Sequence, residues 1–396
     1  MPKIEALNFF YLAMPEILDV GDGSQDALLV RVSAGGYTGW GECEASPLTT
    51  IASLVCPMSH SACKPVAVSV LGETLDSPAD IARIHRKVRQ NSLDLLQADH
   101  ALSGIDVALW DLLGKLRQEP VYKLLGFKRA YPKRPYFSLL FGATPADTYQ
   151  KARQAARQGF SAVKFGWGTF GCLDLKHDED QVAAARAGLE DEAKKEAILC
   201  IDAGTVWGED VAVASQRLDI LRKCAVTWLE EPFHTYAHRA YCQLARASGS
   251  VKLAGGEGAH NEYMAQQMID YAGLGYIQVD CGRVGGITSA RRVFEHAQAK
   301  GVQYVNHTFT SHLALSASLQ VFAGAPEHAL CEYPGQLTPL ADQLTADHLE
   351  VDANGAVHLP ERPGLGLEPD LTAIKKYVMD VEMIVNKRML YRTPAL

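Results

Sequence analysis

Hydrophobic and polar residues alternate in the first part of the chain and then change to helical spacing. The segment ALLVRVSAGGYTGWGE holds two strand-like runs on either side of Gly35 and Gly36, which predicts a hairpin. From Ala79 to Gly126 the apolar residues recur every three or four positions, which predicts an amphipathic helix that ends near Pro120. This order of elements predicts a small α+β domain over residues 1–128.

Short apolar runs alternate with helix-length amphipathic segments beyond Pro135. The runs are YFSLLFG, SAVKFGW, AILCIDAG, VTWLEEP, KLAGGEG, GYIQVDCG, VQYVNHT and HALCEYP. Their spacing of roughly 25 to 30 residues is typical of repeated βα units, and eight such units predict an α/β protein with a closed parallel barrel over residues 129–340. Residues 341–396 are rich in turns and too poor in core for independence, so we expect them to fold back on the first domain.

The composition indicates a globular protein and disfavours some binding partners, but it does not indicate a reaction. The 396 residues are 47% hydrophobic and 21% charged, which is typical of a globular protein. Acidic residues outnumber Lys and Arg by 46 to 38, and a net charge of -8 does not favour binding to nucleic acid or to a membrane surface. The nine cysteines form no CxxC pair and the N-terminus lacks a secretory pattern, so we expect reduced thiols and a cytoplasmic protein.

Three acidic residues follow three successive predicted strands. Asp202 ends AILCI, Glu230 ends VTWL and Glu257 follows KLAGG. The strand ends of a barrel converge, and three unpaired anions at one point would repel one another unless an oxygen-preferring divalent cation such as Mg²⁺ joined them. A single acid in such a place is more often a helix cap or a surface residue, but three in register favour a metal site. Glu231 also follows VTWL, and spacing alone does not choose between it and Glu230, although strand alternation points only one of the two inward.

A second group of polar residues follows the later strands. Asp280 ends GYIQV and His307 ends VQYVN, and a carboxylate bonded to an imidazole would give a general base that can return its proton as an acid. A purely structural Asp–His hydrogen bond is the alternative. Lys164 in SAVKFGW is a candidate to neutralise a substrate carboxylate, and Glu332 in HALCEYP is a candidate hydrogen-bond donor to a developing enolate if it is protonated. For these two residues the alternative is an ordinary ion pair with each other.

Several segments together resemble the mandelate racemase branch of the enolase superfamily. They are IDVALWDLLGKLRQEPVYKLLG, WLEEP, GGEG, VDCGRVGGIT and VNHTFTSHLA, and the similarity spans nearly the whole chain. The resemblance implies an α+β capping domain on a modified (β/α)7β barrel, with Mg²⁺ assisting removal of the proton next to a carboxylate. It implies the following site: metal ligands Asp202, Glu230 and Glu257, the dyad Asp280 and His307, the late-strand hydrogen-bond donor Glu332, and Lys164 as the first lysine of a Lys-x-Lys motif.

The second lysine of that motif is replaced by Gly166. Racemisation needs a base on each face of the substrate, whereas elimination of water can reuse one histidine as base and then as acid. The resemblance therefore favours a dehydratase that converts an aldonic or aldaric acid to a 2-keto-3-deoxy acid, with His307 as the base. Lys164 remains open as the proton-transfer group for the opposite epimer. A racemase or epimerase with another second base, and a catalytically silent barrel, are the other hypotheses.

Substrate specificity is not fixed by the spacing of these residues. The resemblance points to the loops Pro15 to Asp26 and Pro47 to Pro65, where the candidates Glu16, Asp19 and His60 are more typical of solvated loop positions. Arg283 stands where the family has a lysine and is expected to act electrostatically or structurally, because a guanidinium is a poor base. Trp167 and Phe170 are expected to pack at the barrel rim or over the substrate. The resemblance also implies a homo-oligomer of unstated size.

Overall fold

An antiparallel sheet and four helices form the first part of the protein, here called the cap. The computed structural model describes residues 1–44, 46–192 and 196–396. The cap has strands β1 (Ile4–Ala13), β2 (Asp26–Ala34) and β3 (Tyr37–Cys43), in the order β1-β2-β3, and helices α1 (Pro47–Val55), α2 (Pro78–Asn91), α3 (Ala98–Arg117) and α4 (Val121–Leu124). The predicted hairpin between β2 and β3 is confirmed, because Ala34 pairs with Tyr37 across the positive-φ residues Gly35 and Gly36.

Eight parallel strands form the barrel, and each coincides with one of the predicted apolar runs. They are β4 (Arg134–Leu140), β5 (Ala162–Gly166), β6 (Ile198–Asp202), β7 (Val226–Glu230), β8 (Lys252–Gly255), β9 (Tyr276–Val279), β10 (Gln303–Asn306) and β11 (Leu330–Pro334). The helices between them are α5 (Pro145–Arg157), α6 (Leu175–Glu192), α7 (Val211–Ser215), α8 (Leu218–Lys223), α9 (His238–Ser248), α10 (Glu262–Tyr271), α11 (Gly286–Lys300) and α12 (His312–Gln320). The predicted (β/α)7β barrel with a cap is confirmed.

A side chain closes the barrel where the backbone ladder stops. The hydrogen-bonded order of the strands runs from β10 through β9 to β4 and then to β11. Between β10 and β11 the amide of Asn306 accepts from the Glu332 backbone N–H at 3.0 Å and donates to the Glu332 carbonyl at 3.2 Å. One side chain thus satisfies both backbone groups of Glu332, which fixes that residue in the middle of the last strand rather than at its end, where the sequence places it.

Helix α3 is buried on nearly every side, although its sequence predicts an amphipathic helix. Every residue from His100 to Gly114 is buried. Its polar positions accept hydrogen bonds from distant backbone: Asp106 from the Thr288 N–H at 2.9 Å, and Asp111 from those of Trp40 and Leu365, each at 2.8 Å. The helix is therefore a shared core element between the cap sheet and barrel helix α11, and its aspartates join the two.

The last part of the chain runs back across the cap. It contains α13 (Pro339–Gln343), α14 (Leu371–Ile374) and the hairpin β12 (Glu382–Val385) to β13 (Arg388–Arg392). The Met379 N–H donates to the Tyr11 carbonyl at 2.8 Å, and the Tyr391 hydroxyl donates to the Phe9 carbonyl. Both contacts lie on the outer edge strand β1, so this segment covers an edge that would otherwise be unpaired. Within the described chain, every helix is too short or too polar to cross a bilayer.

Candidate active site

Three carboxylates meet at the mouth of the barrel. Asp202 is the last residue of β6, Glu230 is the last residue of β7, and the two are paired in register. Glu257 lies just beyond the end of β8. One oxygen from each side chain can be chosen so that all three lie within 4.8 Å of one another. The structure brings together the three acids that the sequence singled out as ligands, and three carboxylate oxygens at this spacing are a donor set that suits a hard divalent cation.

Glu231 lies next to the three carboxylates of Asp202, Glu230 and Glu257, here called the triad, but is not one of them. Its backbone has a φ of +36°, and its side chain accepts from the Thr235 hydroxyl at 3.5 Å. Burial, with the charges of Glu257 and Glu230, raises the pKa of Glu231 to about 8. Glu230 supplies the oxygen in the triad, as strand alternation allows for only one of two consecutive residues.

Lys164 lies among the carboxylates rather than free in the mouth. Its ammonium is 2.6 Å from Glu230 Oε1, 2.8 Å from Glu332 Oε1 and 3.8 Å from Asp202 Oδ2. Burial lowers the pKa of Lys164, but these carboxylates outweigh it and hold the pKa well above its ordinary value. Lys164 is therefore a firmly charged ammonium, which is poorly suited to accept a proton.

Glu332 is an ion-pair partner in this structure. Its carboxylate faces Lys164 and accepts from the Thr308 backbone N–H at 2.7 Å. Burial raises the pKa of Glu332, but the charges of Lys164 and His307 prevail and lower it to about 2. Of the two roles that the sequence allowed, the contacts favour the ionised partner of Lys164 over a protonated donor.

His307 and Asp280 form the predicted hydrogen bond. His307 Nδ1 lies 2.7 Å from Asp280 Oδ2, and the other oxygen of Asp280 accepts from the Gly282 N–H at 2.6 Å. The opposite ring nitrogen, Nε2, lies 3.2 Å from Glu257 Oε2. Burial lowers the pKa of His307, but Glu257, Glu332 and Asp280 raise it to about 10. The dyad thus directs Nε2 towards the carboxylate cluster.

Gly166 is a position that no side chain can occupy without moving the triad. A Cβ atom built there would lie 2.7 Å from Asp202 Cβ and 2.9 Å from Asp202 Oδ2. Distances below 3.0 Å are not sustained by real Cβ atoms. The missing second lysine is therefore a feature of the packing around Asp202 as well as of the sequence.

A cavity of about 330 Å³ lies between the barrel mouth and the cap. Its lining combines the barrel groups above with cap residues, as follows: Val20, Gly21, Asp22, Gly23, Glu44, Ser138, Leu139, Leu140, Lys164, Gly166, Trp167, Asp202, Glu257, Arg283, His307, Phe309 and Glu332. The volume lies at the small end of the range of roughly 300–1,000 Å³ for small-molecule sites. The space therefore suits a compact small molecule.

The loop candidates from the sequence lie outside this lining. Glu16 and Asp19 are exposed, and His60 pairs with Asp94 at 3.1 Å on the surface. Trp167 lines the cavity and is 45% exposed, whereas Phe170 is buried and stacks on Phe141 with the ring centroids 5.1 Å apart. The loop of residues 20–23 does reach the site.

Family models match most of the chain. The model described as enolase C-terminal domain-like matches residues 147–373, and the mandelate racemase/muconate lactonizing enzyme N-terminal domain matches residues 17–126. The chain belongs to the mandelate racemase/muconate lactonizing enzyme family. A solved structure described as a predicted mandelate racemase from Rhodobacter sphaeroides is 53% identical, with a TM-score of 0.94 and 100% of both chains covered.

Curated relatives in this family carry names of sugar-acid enzymes. D-galactonate dehydratase of Variovorax paradoxus is 29% identical over 85% of this chain and 86% of its own. The 3,6-anhydro-alpha-L-galactonate cycloisomerase of Streptomyces coelicolor is 30% identical over 69% of this chain and 70% of its own. These two relatives are thus named as a dehydratase and a cycloisomerase of sugar acids, and names of this kind support sugar-acid chemistry in general for family members similar to this chain.

Two residues at the candidate active site, Glu44 and Trp228, were not predicted from the sequence. Glu44 follows cap strand β3 and forms an ion pair with Arg283, whose guanidinium also lies 3.8 Å from Glu257 Oε1. Trp228 donates from Nε1 to Glu230 Oε2 at 3.0 Å. The sequence does contain a pattern that indicates Trp228, because it lies two residues before Glu230 on the same strand and such residues share a face. Glu44 had no comparable signal, because the spacing of the barrel strands says nothing about the position of the cap.

Proposed function

We propose that this protein is a Mg²⁺-dependent sugar-acid dehydratase that converts an aldonic or aldaric acid to a 2-keto-3-deoxy acid and water. The observation that carries the proposal is the imidazole of His307, held by Asp280 beside the carboxylate triad, together with Gly166, where packing against Asp202 leaves no room for the second lysine of the family motif. The family membership and the names of the curated relatives support the class of reaction.

Asp202, Glu230 and Glu257 would hold the metal ion. Their three carboxylates form a mostly buried, negatively charged donor set, and burial with mutual repulsion raises the pKa of Asp202 and of Glu230. Such a set fits a divalent cation, which would supply positive charge to stabilise the carboxylate of the substrate as it gains negative charge.

His307 performs both proton transfers in this proposal. Nε2 accepts the proton from C2 of the substrate, and the C2–H electron pair moves towards the carboxylate. That pair then forms the C2–C3 double bond as the C3–O bond breaks, and the imidazolium returns a proton to the departing hydroxyl, which leaves as water. The resulting enol becomes the 2-keto acid. Asp280 holds the ring in the orientation that presents Nε2 throughout.

Lys164 and Glu332 form the fixed electrostatic surroundings of the reaction. The ammonium keeps its proton, so it stabilises negative charge at the carboxylate end of the substrate. Glu332 holds that ammonium in place through its ion pair and is itself fixed by the Thr308 N–H. His307 is favoured over Lys164 as the base because its Nε2 faces Glu257, one of the carboxylates that would hold the metal ion. A bound cation would offset the charge of Glu257, which does most to raise the pKa of His307, whereas Lys164 would keep its ion pair with Glu332.

The proposal is tested by a screen of aldonic and aldaric acids with Mg²⁺, with 2-keto products detected by semicarbazide and solvent exchange followed by proton NMR in D₂O. We expect a 2-keto-3-deoxy product from at least one acid. Exchange at C2 with recovery of both epimers and no keto product would instead indicate a racemase or epimerase. Metal binding without exchange or turnover on any acid would indicate a silent barrel.

A further inference from the structure

The cavity has a barrel side, with the triad and His307, and a cap side formed by β3 and the loop of residues 20–23. Glu44 lies on the cap side and is only 5% exposed. Its Oε2 pairs with Arg283, and its Oε1 faces Gly23, where an added Cβ atom would lie 3.0 Å away. Glu44 therefore presents a buried acceptor oxygen next to a residue that has no side chain to cover it.

Negative charge dominates the cap side. Asp22 lines the cavity beside Glu44, and Asp26 lies behind them at the start of β2. Burial and the charge of Glu44 raise the pKa of Asp26 to about 6. Asp22 and Glu44 thus line the cap side of the cavity, which the end of a substrate remote from the triad would enter, and Asp26 lies behind them.

The lysine and arginine side chains that line the cavity, among the residues described, are already paired. Lys164 is held by Glu230 and Glu332. Arg283 is held by Glu44 and lies 3.8 Å from Glu257. A second carboxylate on the substrate would meet Asp22 and Glu44 with no free cation to offset the repulsion, whereas a hydroxyl group can donate to Glu44 without adding charge.

We infer that the substrate is a monocarboxylic polyhydroxy acid, an aldonate, and that Glu44 binds its distal hydroxyl groups while excluding aldarates. This rests on the proposed function, because it takes the substrate carboxylate to lie at the triad. Glu44 determines specificity through two effects: its free oxygen accepts from a hydroxyl, and its ion pair with Arg283 withholds the guanidinium from a second carboxylate.

The test measures binding separately from turnover. Calorimetry with Mg²⁺ and the His307→Asn variant compares six-carbon aldonates with the aldarates that share their configuration from C2 to C5. We expect each accepted aldonate to bind at least about tenfold more tightly than its aldarate. Adding Glu44→Gln should reduce this ratio by about tenfold, because it removes a negative charge and frees Arg283.

Two further variants keep the result interpretable. Asp22→Asn leaves the ion pair between Glu44 and Arg283 intact and should shift the ratio in the same direction by about threefold. Glu16→Gln makes the same chemical change as Glu44→Gln at an exposed cap position outside the cavity lining. It should leave the ratio unchanged.

Each outcome separates this inference from the proposed function. Equal or tighter binding of aldarates, or binding of neither class, would overturn the role of Glu44. Keto product from aldarates alone would overturn it as well, while supporting dehydration. Tight, selective binding of aldonates by the variant, with no keto product from the wild-type enzyme, would support the role of Glu44 and contradict the proposed reaction.

Discussion

The same strands build two different layers inside the barrel. The lower layer is uncharged and buried, with Tyr136, Ala162, Cys200, Trp228, Ala254 and Val305. Two residues further along four of these strands, the inward positions hold Ser138, Lys164, Asp202 and Glu230. Because strand residues two apart share a face, each of these four strands contributes one uncharged side chain to the floor and one polar side chain to the mouth.

The difference between these layers explains why the charges pair so closely. The floor offers no cation and excludes water, so a charge above it is poorly solvated from below. Burial, together with the charges of neighbouring carboxylates, raises the pKa of Asp202 and of Glu230, and Lys164 acts against that shift. The mouth can hold several carboxylates only with positive charge among them, from Lys164 and, in our proposal, from a metal ion.

Removing the imidazole from the charged layer should have the largest effect. His307→Asn keeps a polar side chain next to Asp280 but cannot accept the C2 proton. We expect turnover and C2 exchange in D₂O to fall together by about 10²- to 10⁴-fold, with the unfolding transition preserved. Exchange that survives in the variant would move the role of base to Lys164 or to another residue.

Most of the barrel and of its mouth could be predicted from sequence, because local pattern specifies both. Each strand is a short apolar run, and each of Asp202, Glu230, Asp280 and His307 directly follows such a run. Parallel strands then bring their ends together without further information. The roles of these residues as ligands and base remain predictions for the experiments described here.

What sequence could not supply are contacts between elements far apart in the chain. The sequence predicts Asp106 as one polar position of an amphipathic helix, but in the structure it accepts a hydrogen bond from the backbone N–H of Thr288, 182 residues away. The sequence predicts Asn306 only as the end of a strand, yet its side chain closes the barrel by hydrogen bonds to both backbone groups of Glu332. Glu44 approaches Arg283 only after cap and barrel have docked. Such positions depend on how elements pack, which hydrophobic periodicity does not encode.

Removing one acid from the triad should have the next largest effect. Glu257→Gln keeps the size of the side chain and removes its charge, so we expect Mg²⁺ binding to weaken by about 100-fold, with a matching loss of Mg²⁺-dependent thermal stabilisation. Glu231→Gln is the matched control, because it makes the same chemical change in a neighbouring buried carboxyl group outside the triad. Unchanged calorimetric affinity in Glu257→Gln would contradict its role as a ligand.

The smallest of these effects should come from the floor residue Trp228, whose indole N–H donates a hydrogen bond to the triad. Trp228 is fully buried, packs against Tyr136 and Tyr276, and fixes Glu230 Oε2 while Lys164 holds Glu230 Oε1. Trp228→Phe removes the donor. We expect Mg²⁺ affinity to fall by about tenfold, as is typical when a residue that orients a metal ligand is lost.

Loss of volume also accompanies Trp228→Phe, so a second floor variant separates packing from orientation. Val305→Ala opens space in the same layer without touching the hydrogen bonds of Glu230, and it should lower the free energy of unfolding by about 1–3 kcal/mol with Mg²⁺ affinity unchanged. If both variants weakened Mg²⁺ binding equally, the floor would act on the mouth through packing alone. A selective effect of Trp228→Phe would mean that the uncharged layer also orients a carboxylate of the charged one, because the indole N–H is its only donor to the triad among the described contacts.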